Sequence, residues 1–368
     1  MRSDHVELAV TRQGGHMAPV SFFRKTGRPV QPYFISPWQM EKTSLAEPVL
    51  VPLRGDFFCM PFGDNAEPLK GEKHFCHGEP AGARWEFDAA SSEDGVNSLF
   101  LRLKTKVRPG RISKRFWLVD GQNVVYVQHV LEGYSGRMPL GHHASLRLPD
   151  EEGAARVAVS PFRFGMTAPS LFSDPAKGAY QSFAIGRRFR DLRRVPLLTR
   201  DPAFADATAH PARTGFEDLL QIYARQTDEP AWTTLTNQAE RYLWFALKDP
   251  AMLPATTFWI SNKGRHGIPW NGRSRCLGLE EVCGYFADGL KASGSPNQLN
   301  RMGISTSVEL SPRRPTVVNY IQGAARIPDG FDVVKTVSFG RREVTFKSAS
   351  GKKIAVAVNH EFLRTEQV

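Results

Sequence analysis

The chain has 368 residues, of which 41% are hydrophobic, and a formal net charge of +11. This length allows a large core, in one big all-β domain or in two domains. No run approaches the roughly 20 consecutive apolar residues that a membrane helix needs, and the first residues lack the apolar segment of a secretory signal. We therefore expect a cytoplasmic protein with no membrane partner.

The basic surplus raises the question of an anionic partner, because positive charge attracts phosphate groups of any sequence. The basic residues are spread through the chain, with one concentration at residues 187–194, and no nucleic-acid-binding motif accompanies it. We expect no nucleic-acid partner, and an anionic small molecule or a solvated surface explains the charge as well. The cysteines form no CxxC pair and predict reduced, largely buried thiols; they are Cys59, Cys76, Cys276 and Cys283.

Short strands joined by turns are the main prediction for local structure. The chain carries 31 glycines and 26 prolines between short runs of alternating or β-branched apolar residues. The pattern is strongest over residues 99–107, 112–119 and 124–132, which predict an antiparallel meander. Residues 216–225 have helical spacing and are the clearest helix candidate. Since no linker, composition shift or repeat divides the chain, we expect one antiparallel β-sandwich domain over residues 1–368.

Two tandem pairs of titratable residues lie in predicted strands, and they are the main candidates for chemistry. Glu280 and Glu281 follow a short apolar run, and His142 and His143 begin another strand. Neighbouring side chains on a strand point to opposite faces, so one member of each pair is expected to face inward. A carboxylate in a half-buried pocket suits a general base, and a histidine can supply the matching acid. A surface Glu beside a helix-capping Glu, and a hydrogen-bonded core histidine, are the alternatives.

Three further stretches contain candidates with weaker patterns. His16 follows paired glycines, where it either lines a site or makes a local hydrogen bond. Trp270 follows the polar, Gly-rich loop 261–267, which is expected to form a pocket wall, and the indole either stacks on a sugar or packs the loop. His74 and His77 have the spacing of a metal pair on a helix, but glycine and proline follow them and two ligands are too few. We expect no metal site.

Five motifs resemble, in order, those of the galactose mutarotase-like superfamily, the aldose 1-epimerases and their relatives. They are Gly14-Gly-His-Met-Ala-Pro-Val20, Phe57-Phe-Cys-Met-Pro-Phe-Gly63, His77-Gly78 with Trp85 after it, Gly141-His-His143, and Leu277-Gly-Leu-Glu280. The resemblance implies an all-β supersandwich of two large antiparallel sheets with a few short helices and an active site on a concave, open face. It also implies a sugar substrate, no cofactor and interconversion of the α and β anomers of an aldose.

The resemblance also implies roles for individual residues. His143 resembles the acid that protonates the ring oxygen, Glu280 resembles the base that takes the C1 hydroxyl proton, and His77 holds or polarises the ring oxygen. The family often has proline after its histidine and glutamate, where this chain has alanine and a second glutamate. His142 and Glu281 therefore stay open as the pocket residues, since a shift by one position reverses the face of a strand.

The sugar-binding residues match the family less well. Its arginine after the Phe-Pro segment is missing, because Gly63-Asp-Asn-Ala66 stands there, and its hydroxyl-binding aspartate has no match. Arg54 and Arg84 are the nearby substitutes. The candidate substrate-binding residues are His16, Arg54, Asn65, Arg84, His142, Trp270 and Glu281.

Three functions are compatible with these features. The first is an aldose 1-epimerase-like enzyme acting on a monosaccharide or a sugar phosphate, the latter suggested by the basic surplus. The second is a non-catalytic sugar-binding protein. The third is a glycoside-cleaving enzyme or lyase, since unrelated activities share one fold.

Overall fold

Strands dominate the computed structural model, which describes residues 1–365. In chain order the strands are β1 (Val6–Val10), β2 (Met17–Phe22), β3 (Asp56–Cys59), β4 (Glu86–Glu93), β5 (Val96–Thr105), β6 (Gly110–Val119), β7 (Val124–Glu132), β8 (Gly136–Met138), β9 (Leu140–Arg147), β10 (Ala155–Val159), β11 (Phe162–Thr167), β12 (Arg188–Phe189), β13 (Val195–Pro196), β14 (Phe204–Ala205), β15 (Ala209–His210), β16 (Phe216–Ala224), β17 (Ala231–Asn237), β18 (Tyr242–Lys248), β19 (Ala255–Asn262), β20 (Arg275–Cys283), β21 (Val308–Leu310), β22 (Thr316–Arg326), β23 (Val334–Gly340), β24 (Glu343–Ser348) and β25 (Lys353–Ala357).

Helices are short. The α-helices are α1 (Gly78–Gly82), α2 (Gly289–Gly294) and α3 (Gln298–Arg301), and 3-10 helices span Pro48–Leu50, Pro175–Lys177, Leu192–Arg194 and His360–Leu363. In the part of the chain that the structure describes, no helix has the length and apolar character to cross a membrane.

Two nine-stranded antiparallel sheets form the body of the protein. The first has the order β1-β2-β3-β9-β20-β19-β16-β11-β12, and the second has the order β15-β10-β17-β18-β22-β7-β6-β5-β4. Smaller sheets pair β13 with β14, β8 with β21, and β23 with β24 and β25. This architecture confirms the predicted all-β supersandwich. The meander predicted over residues 99–132 is also confirmed, as β5, β6 and β7 of the second sheet.

Apolar side chains occupy three layers. The facing sides of the two large sheets share one core, with Phe258 of the first sheet and Trp244 of the second among its members. On the outer side of the second sheet, β23–β25 cover another cluster, in which the rings of Phe245 and Phe346 lie 5.0 Å apart. Loops cover the outer side of the first sheet through a third cluster that includes Trp270. The candidate site lies on this third face.

The helix predicted over residues 216–225 is wrong, because this segment is strand β16. Leu220 belongs to the core between the sheets, whereas Leu219 and Tyr223 belong to the cluster on the outer face. A central strand that is covered on both sides carries apolar residues on both faces, so the alternation that marks a half-exposed strand disappears. The remaining pattern imitates helical spacing.

The cysteines are unpaired. Cys59, Cys276 and Cys283 are buried, and Cys76 is half-buried at the wall of the cavity described below.

Candidate active site

The register of three neighbouring strands places the tandem residues in two rows. Phe57 of β3 pairs with His143 of β9, which pairs with Glu280 of β20. The next row contains His142 and Glu281, which pair with each other. Adjacent residues on a strand face opposite sides. The first row therefore faces a cavity on the outer side of the first sheet, and the second faces the core between the sheets.

The cavity has a volume of about 290 Å³, at the lower end of the roughly 300–1,000 Å³ of small-molecule sites. Aromatic rings form much of its wall, as is common in sites that bind the apolar faces of small ligands. Its ionisable lining residues are Asp64, Cys76, His77, His143, Arg265, Glu280 and Asp288.

His143 and Glu280 form the centre of the cavity. Nε2 of His143 lies 3.1 Å from Oε1 of Glu280. The imidazole stacks on the ring of Phe57, with centroids 4.5 Å apart and an interplanar angle of 19°. Its Nδ1 lies 3.3 Å from the hydroxyl oxygen of Ser145. These contacts hold the ring with Nε2 directed at the carboxyl group.

Burial sets the protonation of this pair. It raises the pKa of the Glu280 carboxyl well above its usual range and lowers the pKa of His143 well below its usual range. Both shifts have the same cause, because burial disfavours the carboxylate and the imidazolium alike. At neutral pH the pair therefore holds one proton, and the free protein favours that proton on Glu280.

His77 faces the same pair from the residue before α1. Its ring lies edge-on to that of His143, with centroids 5.0 Å apart. The backbone N–H of Gly63 donates to Nδ1 over 3.4 Å, and burial lowers the pKa of His77 to about 4. The next residue, Gly78, has a φ of +75°, and a Cβ there would lie 2.0 Å from the carbonyl oxygen of Met60. This close approach explains the His-Gly pair.

Arg265 is a cavity residue that sequence analysis missed, although its loop, 261–267, was expected to form a wall. Its Nε donates to Oε2 of Glu217 over 2.7 Å, and its guanidinium lies 4.9 Å from the centre of the Trp270 ring. Glu217 is fully buried and also accepts a hydrogen bond from Nε1 of Trp259 over 2.7 Å. Since a guanidinium carries five N–H donors, Arg265 keeps donors for a ligand.

Asp64 and Asp288 add two carboxyl groups at one end of the cavity. Burial, together with the charge of Asp64, raises the pKa of Asp288 to about 6. Carboxylates accept hydrogen bonds from hydroxyl groups. Asp64 and Asp288 can therefore accept hydrogen bonds from the hydroxyl groups of a ligand.

Comparison with known proteins depends on structure, because no protein-family model and no curated protein matches the sequence. Among solved structures, 26 chains match. A galactose mutarotase-like protein from Clostridium acetobutylicum has a TM-score of 0.60 at 10% identity, over 89% of this chain and 94% of that chain. A galactose mutarotase related enzyme from Lactobacillus acidophilus has a TM-score of 0.57 at 13% identity, over 89% and 97%.

The chain has the galactose mutarotase-like fold. The Slr1438 protein from Synechocystis sp. PCC 6803 shares it, with a TM-score of 0.54 at 13% identity over 88% of this chain and 96% of that chain. At such identities the likeness concerns the fold. The chemistry of the site depends on the side chains of this chain.

The second members of the tandem pairs, His142 and Glu281, do not line the cavity. In this mutarotase-like fold, Nδ1 of His142 lies 2.9 Å from Oδ2 of Asp56 between the sheets. Glu281 accepts a hydrogen bond of 2.5 Å from the hydroxyl of Thr233 and forms an ion pair with Lys248. These contacts hold both side chains between the sheets.

His16 and Arg54 also lie outside the cavity wall. His16 is fully buried and stacks on Phe57, with ring centroids 4.1 Å apart. Its Nε2 hydrogen-bonds the carbonyl oxygen of Ala81 over 2.9 Å, and burial lowers its pKa to about 3. The backbone N–H of Arg54 donates to His16 Nδ1 over 3.3 Å, and its side-chain Nε donates to Pro52. His16 thus supports Phe57, the ring on which His143 stacks.

Asn65 and Arg84 have structural or surface positions as well. The side chain of Asn65 is buried, donates to the carbonyl oxygens of Gly63 and Phe75 over 3.0 Å, and accepts from the N–H of Leu290 over 2.8 Å. Arg84 is exposed and does not line the cavity. Of the predicted substrate-binding residues, Trp270 lines the cavity.

Among residues 1–365, no three His, Cys, Asp or Glu side chains are arranged to hold a metal ion. His74 instead lies with Nε2 2.7 Å from Oε1 of Glu72, away from His77 in the cavity wall.

Proposed function

We propose that the protein is an aldose 1-epimerase-like enzyme that interconverts the anomers of a reducing sugar by opening and reclosing its ring. The observation that carries this proposal is the convergence of His143, Glu280 and His77 on one aromatic-walled cavity. Ring opening requires a group that takes the proton of the C1 hydroxyl and another that gives a proton to the ring oxygen. A titratable pair that holds one proton meets both needs.

The proton balance gives each residue a role. Transfer of the proton from Glu280 to Nε2 of His143, across 3.1 Å, produces a carboxylate base and an imidazolium acid. Glu280 then takes the C1 hydroxyl proton while His143 protonates the ring oxygen, and the C1–O bond to the ring breaks to give the open-chain aldehyde. The pair again holds one proton. Rotation about C1–C2 and the reverse steps form the other anomer.

The surrounding residues would position the sugar. His77 is neutral at neutral pH, because burial lowers its pKa to about 4, so its imidazole can hydrogen-bond the ring oxygen without carrying a charge. Trp270 offers a face for the apolar side of the sugar, and Arg265 offers N–H donors to its hydroxyl groups. The buried side chains of His143 and Glu280 lie in surroundings of low polarity, which strengthens their hydrogen bonds.

Between a free aldose and a sugar phosphate, the charges of the cavity favour the free aldose. The guanidinium of Arg265 is paired with the buried carboxylate of Glu217. A phosphate dianion would also meet Asp64 and Asp288, and like charges at close range repel each other. The basic surplus of the chain does not extend to the residues that line this cavity.

Polarimetry of freshly dissolved α-anomers of glucose, galactose, mannose and xylose tests the proposal. At least one sugar should equilibrate faster than in buffer, and Glu280→Gln and His143→Ala should each lower kcat/KM by about 100-fold or more. Glu343→Gln, which changes an exposed glutamate of β24, should keep the wild-type rate.

Other outcomes identify the competing functions. No acceleration with any monosaccharide or reducing disaccharide, or full activity in both variants, contradicts the proposal. Sugar-dependent thermal stabilisation without turnover indicates a non-catalytic sugar-binding protein, and release of shorter saccharides indicates a glycosidase or lyase. A cytoplasmic location stays a prediction, which fractionation of the source cells would test.

A further inference from the structure

The cavity adjoins a second, larger depression. Asp64, Ser170 and Asp288 line the cavity and also line this neighbouring groove, which has a volume of about 750 Å³. The groove is thus more than twice as large as the cavity, which is about 290 Å³. The two spaces meet at the end of the cavity that carries the two aspartates.

The groove is built by the segment that follows the catalytic strand β20, including α2 and α3. Hydrogen bonds within the segment hold its walls. The side chain of Asn297 caps α3 by accepting from the N–H groups of Leu299 and Asn300. Nε2 of Gln298 donates to the hydroxyl of Tyr285 over 2.7 Å. A groove ordered in this way loses little conformational entropy when a ligand binds.

The chemistry of the groove suits a neutral, hydroxyl-rich ligand. Tyr285 offers an aromatic ring, and Gln298 and Arg301 offer N–H donors. Lys291 is paired with Glu67 at the rim, so the cation and the carboxylate largely compensate each other. The groove therefore has no strong excess of one charge that would select an ionic ligand.

We propose, on the basis of the proposed function, that the substrate is a reducing oligosaccharide rather than a monosaccharide. Its reducing-end sugar occupies the cavity at His143 and Glu280, because only that unit has a free C1 hydroxyl. The next sugar lies in the groove, against Tyr285 and Arg301. A monosaccharide would fill the cavity and leave the groove unused, whereas a disaccharide would gain contacts in both.

The test compares each monosaccharide with reducing disaccharides that end in the same sugar. The pairs are glucose with maltose and cellobiose, galactose with galactobiose, mannose with mannobiose, and xylose with xylobiose. Exchange between the anomers is measured by NMR, which also detects any cleavage. We expect kcat/KM to be at least tenfold higher for one disaccharide than for its monosaccharide, mainly through a lower KM.

Variants locate the effect in the groove. Tyr285→Ala and Arg301→Ala should each lower the disaccharide-to-monosaccharide ratio of kcat/KM by about fivefold. Because this ratio is measured on one preparation, partial misfolding does not change it. Arg313→Ala, which removes an exposed arginine of the 311–314 turn, is the matched control and should keep the wild-type ratio.

The outcomes separate this inference from the proposed function. If a monosaccharide is turned over and no disaccharide is better, or if both groove variants keep the wild-type ratio, the inference is wrong and the epimerase proposal stands. If no sugar of either size exchanges faster than in buffer, the epimerase proposal fails and this inference fails with it.

Discussion

The buried ion pair of Lys248 and Glu281 lies behind the candidate active site, on the other face of β20. Substitutions in this pair test how much it contributes to the stability of the fold. Lys248 is 2% exposed and Glu281 is 1% exposed. The ammonium group contacts the carboxylate of Glu281 and donates to the carbonyl oxygen of Ala255 over 2.7 Å. Glu281 also accepts from the hydroxyls of Thr233 and Thr256, over 2.5 and 2.7 Å. The network compensates both charges.

Lys248→Met removes one charge and leaves the other in the interior. Breaking a buried pair in this way costs about 3–5 kcal/mol. Two hydroxyl donors still stabilise the carboxylate of Glu281, so we expect a loss near the lower end of that range. In the double variant Lys248→Met/Glu281→Leu both charges are gone, and apolar side chains of similar volume replace them. The remaining loss should be about 1–2 kcal/mol, because Thr233 and Thr256 lose their acceptor.

Urea unfolding at neutral pH, followed by circular dichroism and tryptophan fluorescence, measures these free energies. Lys335→Met, which changes an exposed lysine of β23, is the control and should stay within about 0.5 kcal/mol of wild type. A loss below about 1 kcal/mol for Lys248→Met, or a double variant that is less stable than the single variant, would refute the argument from buried charge.

Three further predictions concern the site and its buried histidines. A Cβ at position 278 would lie 2.8 Å from Oε1 of Glu280 and 3.0 Å from Cβ of Trp259. Gly278→Ala should therefore displace the Glu280 carboxyl group and lower kcat/KM in polarimetry about tenfold or more. An unchanged rate would contradict this geometry. Burial lowers the pKa of His210 from 6.5 to about 4. Between these two pH values the unfolded chain binds a proton at His210 that the folded chain does not, so the free energy of unfolding falls as the pH drops from 6.5 to about 4. His210→Gln should reduce the slope of the unfolding free energy against pH there by up to about 1.4 kcal/mol per unit, and the same slope in urea titrations would speak against a neutral buried imidazole. Because the pKa of Glu280 is raised and that of His143 is lowered, kcat/KM should be flat around neutral pH. It should fall in acid, where His143 takes up a proton in addition to the one on Glu280, and in alkali, where Glu280 loses its proton. A single step near pH 6.5 would contradict a pair that holds one proton.

The strands could be predicted because their signals are local, since alternation over the meander depends on residues close together in the chain. The two-sheet arrangement was implied by the family resemblance, which five short motifs carried. The tandem pairs predicted that one member of each faces a pocket. Which member does so depends on the pairing of β9 with β20, and a pattern with a period of two residues contains no information on the partner strand. The one-domain interpretation stays a prediction.

The position of a side chain around the cavity depends on loop geometry that sequence distance does not describe. Arg54 and Arg84 were predicted because they lie near the motifs in sequence, whereas neither lines the cavity. Arg265 reaches the cavity because Glu217 anchors it, and Glu217 lies on β16, the strand for which sequence predicted a helix. Because this segment was predicted as a helix, Glu217 was not recognised as the partner of Arg265. When a strand is covered on both faces, its apolar pattern does not indicate which face carries a charged residue such as Glu217.

On β9 and β20, the candidate catalytic residues and the residues that support them form two adjacent rows. The outer row places His143 beside Glu280, and this contact needs the two strands to keep their register. The inner row fixes that register from behind, because His142 links β9 to Asp56 of β3 and Glu281 links β20 to Lys248 of the second sheet. Charged and polar residues would otherwise be costly between the sheets. Their placement one residue from the candidate catalytic pair lets a buried network position an open site, with tandem His-His and Glu-Glu as its sequence signature.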